Sequence, residues 1–192
     1  KIQMKEIVKF IKEGLKITAK TKVNERPKYE NVNYHPKTKR ELHKLINQLI
    51  EERGNEGDFN DIDTSKIKDM SSLFDSLDKF NGDISNWDMS NVTDMSFMFS
   101  ECKSFNQDIS NWDVSNVNDM SYMFWGCNSF NQPLNDWDVS NVTDMAYMFK
   151  GCESFNQPLN NWNVSKLKYM IGMFNSCKSF NYDISNWDVS NI

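Results

Sequence analysis

A repeat of 25 residues constrains this chain more than any other feature. The string "NWDVSNVNDMSYMF" from Asn111 returns as "NWDMSNVTDMSFMF" from Asn86, as "DWDVSNVTDMAYMF" from Asp136 and as "NWNVSKLKYMIGMF" from Asn161. In register, the copies give columns of one residue type. Phe80, Phe105, Phe130, Phe155 and Phe180 form one; Trp87, Trp112, Trp137, Trp162 and Trp187 form another. Met95, Met120, Met145 and Met170 align, as do Phe99, Phe124, Phe149 and Phe174, and as do Cys102, Cys127, Cys152 and Cys177. The earlier segment "DFNDIDTSKIKDMSSLF", from Asp58, fits the frame with Ile62 at the Trp position. A period of this length predicts a solenoid, because a unit this short buries its apolar face only against a neighbouring unit. Units are expected near 55–79, 80–104, 105–129, 130–154 and 155–179, with a partial one at 180–192.

Met95, Met98, Phe99 and Cys102 stand at i, i+3, i+4 and i+7, which predicts one face of a short helix. Ser90 or Asn91 is placed to cap it, and Asp94 puts a carboxylate in its first turn. Trp112-Asp113-Val114 alternates apolar, polar, apolar, as a half-buried strand does. The expected fold class is therefore α/β: strand–turn–helix units whose strands form a parallel sheet on the inside of a curve, with the helices outside.

Charge divides the chain. Residues 1–54 hold fourteen Lys and Arg against seven Glu, a net +7, and residues 55–192 hold eight against twenty, a net −12. In the basic head, Thr38 and Glu41 have capping-box spacing, Leu42, Leu45, Ile46, Leu49 and Ile50 form an apolar stripe, and Gly54 ends it. This predicts a helix that serves as an N-terminal cap on the open end of the repeats. Residues 3–17 (Met4, Ile7, Val8, Ile11, Leu15) are a second amphipathic candidate, and 21–37, with Pro27 and Pro36, reads as a linker. No apolar run reaches membrane-spanning length, so no membrane insertion is expected. The aromatic and Gly motifs of nucleic-acid modules are missing too, so no nucleic acid is expected.

The pattern Phe99-x2-Cys102-x2-Phe105-x3-Ile109-x2-Trp112-x-Val114-x2-Val117-x2-Met120 resembles a leucine-rich repeat in which Met, Phe and Trp replace most Leu. It is most similar to the BspA-like repeat family of bacterial surface proteins and lipoproteins, over residues 55–192. The resemblance implies a leucine-rich-repeat-like fold and adhesion or partner binding at the cell surface, with a cytoplasmic setting as the alternative. The departures at Ile62, Asn163 and 166–169 imply that the first and fifth units present different surfaces.

The candidate site residues fall into three groups. Asp88, Asp113, Asp138 and Asp188 lie between the inward Trp and Val, which would place them on the concave sheet face as binding groups, or as charges that keep the sheet soluble. Phe97, Tyr122, Trp125 and Tyr147 lie opposite the Met face and are expected to form a convex aromatic patch. The Trp column, Phe105, Phe130, Phe155 and the Cys column are expected to be core, with the thiols reduced, since helices would hold neighbouring Cys too far apart to bridge. Asn81, Asn106, Asn131, Asn156 and Asn181 are expected to stack and to satisfy turn backbone.

Only His35 and His43 are available to assist a metal, "DVSNVTD" lacks the Gly and Glu of an EF-hand loop, and no nucleophile–base pair or phosphate loop appears. No enzyme, metal or cofactor is expected. The functional expectation is a recognition module for a protein or glycan, against a structural spacer or an intracellular inhibitor-type binder. The chain stops where each earlier unit begins its helix, so further repeats beyond Ile192 are expected, with a monomer or weak dimer at most.

Overall fold

The computed structural model describes residues 32–192. The amphipathic segment 3–17 and the linker before residue 32 lie outside the described residues. Helix α1, Lys39–Arg53, follows from its end signals. The Thr38 hydroxyl accepts the Glu41 N–H at 3.2 Å, and Gly54, at φ 78°, returns its N–H to the Ile50 carbonyl. Its buried Leu42, Ile46 and Leu49 join the core that runs through all the repeats. Arg53 fixes it to the first unit by a two-pronged pair with Asp61 at 2.8 and 3.0 Å. That contact holds the Asp61 carboxyl below its usual range, the hydrogen bond from Arg53 being the main cause.

The chain beyond α1 corrects the expected fold class. After Arg53 no helix occurs among the described residues, and there is no sheet: the units touch through isolated parallel bridges such as Asp69–Asp94, Asp94–Asp119, Asp119–Asp144 and Asp144–Tyr169. A leucine-rich-repeat solenoid of strand–turn–helix units, helically capped, does not describe this chain. The concave and convex faces inferred from sheet and helices lose their basis with them.

The segment with helical spacing is a run of turns. In the second unit the N–H groups of Met95, Phe97, Phe99 and Glu101 donate to the carbonyls of Asp119, Ser121, Met123 and Trp125 in the next unit. Between them, Met98, Ser100 and Cys102 donate three residues back, to Met95, Phe97 and Phe99. Phe97 (φ 57°) and Glu101 (φ 58°) are left-handed, and the third position of a type II turn requires positive φ. A left-handed residue every fourth position rules out a helix. The Trp-x-Val trio forms no ladder either: Trp112 N–H turns back to Ile109, and Val117 N–H to Val114.

Side chains bind the units as closely as the backbone does. Phe99 stacks on Phe124 at 5.6 Å, Phe124 on Phe149 at 5.6 Å, and Phe105 on Phe130 at 5.9 Å. The indole N–H groups of Trp87, Trp112, Trp137, Trp162 and Trp187 donate to the carbonyls of Phe59, Ile84, Ile109, Leu134 and Leu159 of the preceding units. The Asn column is a ladder in which Asn81 Oδ1 accepts from Asn106 N–H, and the relation repeats through Asn131, Asn156 and Asn181.

All four Cys are free thiols. Helical spacing, the expected obstacle to their bridging, is absent. Each Sγ is held instead by donating to a carbonyl of the preceding unit, those of Phe74, Phe99, Phe124 and Phe149, at 2.8–2.9 Å. Burial pushes the thiols of Cys102, Cys127 and Cys152 well up, and that of half-buried Cys177 up to about 11. Only the thiolate attacks a thiol probe, so labelling of the folded chain at neutral pH is expected to be slow, with Cys177 first. Mass spectrometry of labelled peptides checks this; fast modification of Cys102, Cys127 and Cys152 before unfolding would contradict it.

Candidate functional site

Phe97, Tyr122 and Tyr147 occupy one column of the turn run, and each is left-handed at φ 57°, 57° and 56°. The conformation costs an L residue roughly 1–2 kcal/mol and is unusual for a bulky side chain. The same column holds Ser72 (φ 54°) and Gly172 (φ 62°) in the flanking units. The fold therefore needs positive φ here but not a ring.

The rings form a continuous, half-buried stripe. Phe97 stacks on Tyr122 at 4.4 Å with planes 7° apart, and Tyr122 meets Tyr147 at 5.0 Å, tilted by 31°. Trp125 stands edge-on to Tyr122 at 5.6 Å. Lys150 lies across the end, its Nζ 5.2 Å from the Tyr147 centroid and 5.5 Å from that of Trp125. Gly172 closes the stripe: a Cβ there would stand 2.5 Å from Tyr147 Cε1, so the Tyr147 ring covers the place of a side chain. The four aromatics named from the sequence are thus brought together, whereas sequence reasoning misses Lys150 and Gly172. Their only signal is a break in column, Gly172 where three units carry a ring.

A ladder of carboxylates runs beside the stripe. Asp69, Asp94, Asp119 and Asp144 accept the N–H of Ser71, Ser96, Ser121 and Ala146 at 2.8–2.9 Å, each the residue directly before the ring column. Asp69 is paired with Lys39 of α1 at 3.1 Å, and the same ammonium donates to the Ser71 hydroxyl. Among the described residues, no ion pair forms at Asp94, Asp119 or Asp144. Partial burial, with the charge of Asp119 adding to it, pushes the Asp144 carboxyl up.

The Asp column singled out from sequence has a local task. Asp88, Asp113, Asp138 and Asp188 accept the N–H of Ser90, Ser115, Ser140 and Ser190 at 3.0–3.2 Å, each closing an Asx turn. Asn163 makes the same bond to Ser165, so the fold needs the oxygen and not the charge. Asp88 and Asp113 are half-buried, Asp138 and Asp188 exposed. The hydrogen bonds from Ser140, side chain first, hold Asp138 below the usual carboxylate range, and those from Ser190 do so for Asp188. These bonds stay within the turn, in a different part of the unit from the ring column.

No helix among the described residues is long and apolar enough to cross a membrane. No curated protein and no solved structure matches the chain. One family does: the family model described as "Mycoplasma protein of unknown function, DUF285" matches residues 42–153 and, again, residues 111–192. With repeats spanning both matches and most of its length inside them, the chain belongs to this family.

Proposed function

We propose that this chain is a non-catalytic recognition module that binds another protein through the stripe Phe97–Tyr122–Trp125–Tyr147. The supporting observation is that bulky rings sit in a left-handed column which Ser72 and Gly172 fill in the flanking units. Strain of this kind gathers at sites of function. The core columns Trp, Cys and Phe run through every full unit from 80 onward because packing demands them, whereas the ring column is confined to three.

The ring planes favour a protein over a glycan. A sugar packs flat on an open ring face, and here Tyr122 stands between Phe97 and Tyr147 while Lys150 lies over Tyr147 and Trp125. Ring edges and phenol hydroxyls are left for a partner, the mixed apolar and polar character that makes Tyr and Trp interface anchors. The resemblance to BspA-like repeats adds a cell-surface setting to the proposal.

The test is the variant Phe97→Ser/Tyr122→Ser/Tyr147→Gly, built from residues that the column already accommodates. Serine keeps its Cβ and with it the left-handed cost, so the two Ser sites lose stacking of about 0.5–1.5 kcal/mol per pair, while Tyr147→Gly also relieves strain. Stability in urea is expected to fall by about 0.5–1.5 kcal/mol per site, while capture on peptide arrays is lost. An unchanged array profile, or collapse of the fold, would refute the reading.

A further inference from the structure

The carboxylate ladder contains an example of its own ligand. At its first rung Lys39 places its ammonium on Asp69 Oδ1 and on the Ser71 hydroxyl. The next rung repeats that acceptor pair, and the third repeats its carboxylate beside a buried Ser121. Ser96 donates to Asp94 Oδ1 through both N–H and hydroxyl, as Ser71 does to Asp69, and Asp119 stands two residues before Ser121. Asp144 continues the ladder with Ala146 in the Ser position. These rungs are parallel-bridge neighbours, about 4.8 Å apart, so like charges face one another along the edge of the stripe. Residues 55–149 carry seventeen Asp and Glu against four Lys, so the surrounding field does not offset them. Lys150 adds an independent observation, since it shows that the rings themselves accept an ammonium.

We propose that the partner of the stripe is a lysine-bearing protein segment whose ammonium groups seat on Asp94, Asp119 and Asp144 as Lys39 seats on Asp69, while its apolar side chains meet the ring edges. The proposal rests on the stripe being a recognition surface and names the chemistry of what it recognises. An acidic or purely apolar segment is disfavoured here, because it would leave the three carboxylates facing like charge or stripped of water.

Fluorescence anisotropy with labelled, amidated octapeptides tests this on the full chain. One peptide alternates lysine with leucine, a second has glutamate for lysine, and a third has serine. The protein variant Asp94→Asn/Asp119→Asn/Asp144→Asn removes the charge and keeps the Asx oxygen, as Asn163 does naturally. The lysine peptide is expected to bind the parent, about tenfold more weakly once the ladder is neutralised and more weakly again as salt rises. The serine and glutamate peptides are expected to bind less tightly than the lysine peptide. Failure of the lysine peptide to bind, equal binding of all three peptides, or equal competition by spermidine, which has the charge without the apolar side chains, would overturn the proposal. The stripe variant separates the two readings. If it alone abolishes binding and the ladder variant does nothing, recognition by the stripe stands and the cationic partner falls. If the ladder matters and the stripe does not, the stripe reading falls.

Discussion

Urea denaturation of Trp137→Ala is expected to show a loss of about 3–5 kcal/mol relative to the parent chain. Trp137 is 3% exposed in a central unit, stacked on Trp112 at 6.5 Å, and its indole N–H satisfies the Ile109 carbonyl at 3.2 Å. Alanine removes the ring, leaves a cavity between units and takes away one of the two hydrogen bonds that the Ile109 carbonyl accepts, the other coming from Trp112 N–H. The site cannot collapse easily, because the backbone on either side is pinned by unit-to-unit bonds such as Met120 N–H to Asp144 and Met145 N–H to Tyr169. Equal stability of mutant and parent would show that the Trp column does not bear the packing assigned to it.

Gly82→Gln is expected to cost about 1–3 kcal/mol although it restores the residue found at that column in three other units. Those units carry Gln107, Gln132 and Gln157, whose side-chain amides donate to the carbonyls of Asn81, Asn106 and Asn131. At Gly82 a Cβ would stand 2.4 Å from Cε2 of Phe59, which is fully buried. Phe59 stands where the following units have Ile84, Ile109, Leu134 and Leu159. The larger ring and the missing side chain compensate one another. The double variant Phe59→Ile/Gly82→Gln should therefore recover most of the loss; a double variant no better than Gly82→Gln alone would contradict the pairing.

Much of the packing is legible in the sequence. The Phe, Trp and Cys columns pack where their period puts them, and the signals at Thr38 and Gly54 bound a real helix. The secondary structure within units is not legible, for a physical reason. Met95, Met98, Phe99 and Cys102 match a helix because successive four-residue turns return side chains to the same side nearly as often as a 3.6-residue helix does. Spacing alone does not separate the two. The distinguishing signals are smaller: Gly126, Gly151 and Gly172 falling in left-handed columns, and Asp-x-Ser repeated three times in each of the units 80–104 and 105–129, with Asp83, Asp88 and Asp94 bonding backbone two residues on. The Asx turns also give Asp88 and its column a turn-closing bond that their position between Trp and Val does not reveal. Alignment of the repeats is enough to find the aromatic stripe. The carboxylates beside it have the spacing of helix residues, which hides their juxtaposition with the rings.

The measurement that bears most directly on the account is the backbone conformation of the ring column in solution, from NMR chemical shifts and intraresidue N–H to Hα contacts over 95–102, 120–127 and 145–152. Left-handed geometry is expected at Phe97, Tyr122 and Tyr147, with amide protection alternating between N–H groups that reach the next unit and those that close local turns. The rings then sit at the left-handed position that the flanking units fill with Ser72 and Gly172, as the proposed recognition surface requires. Continuous helical shifts through these segments would contradict both the turn-built units and the strain on which the proposed function rests.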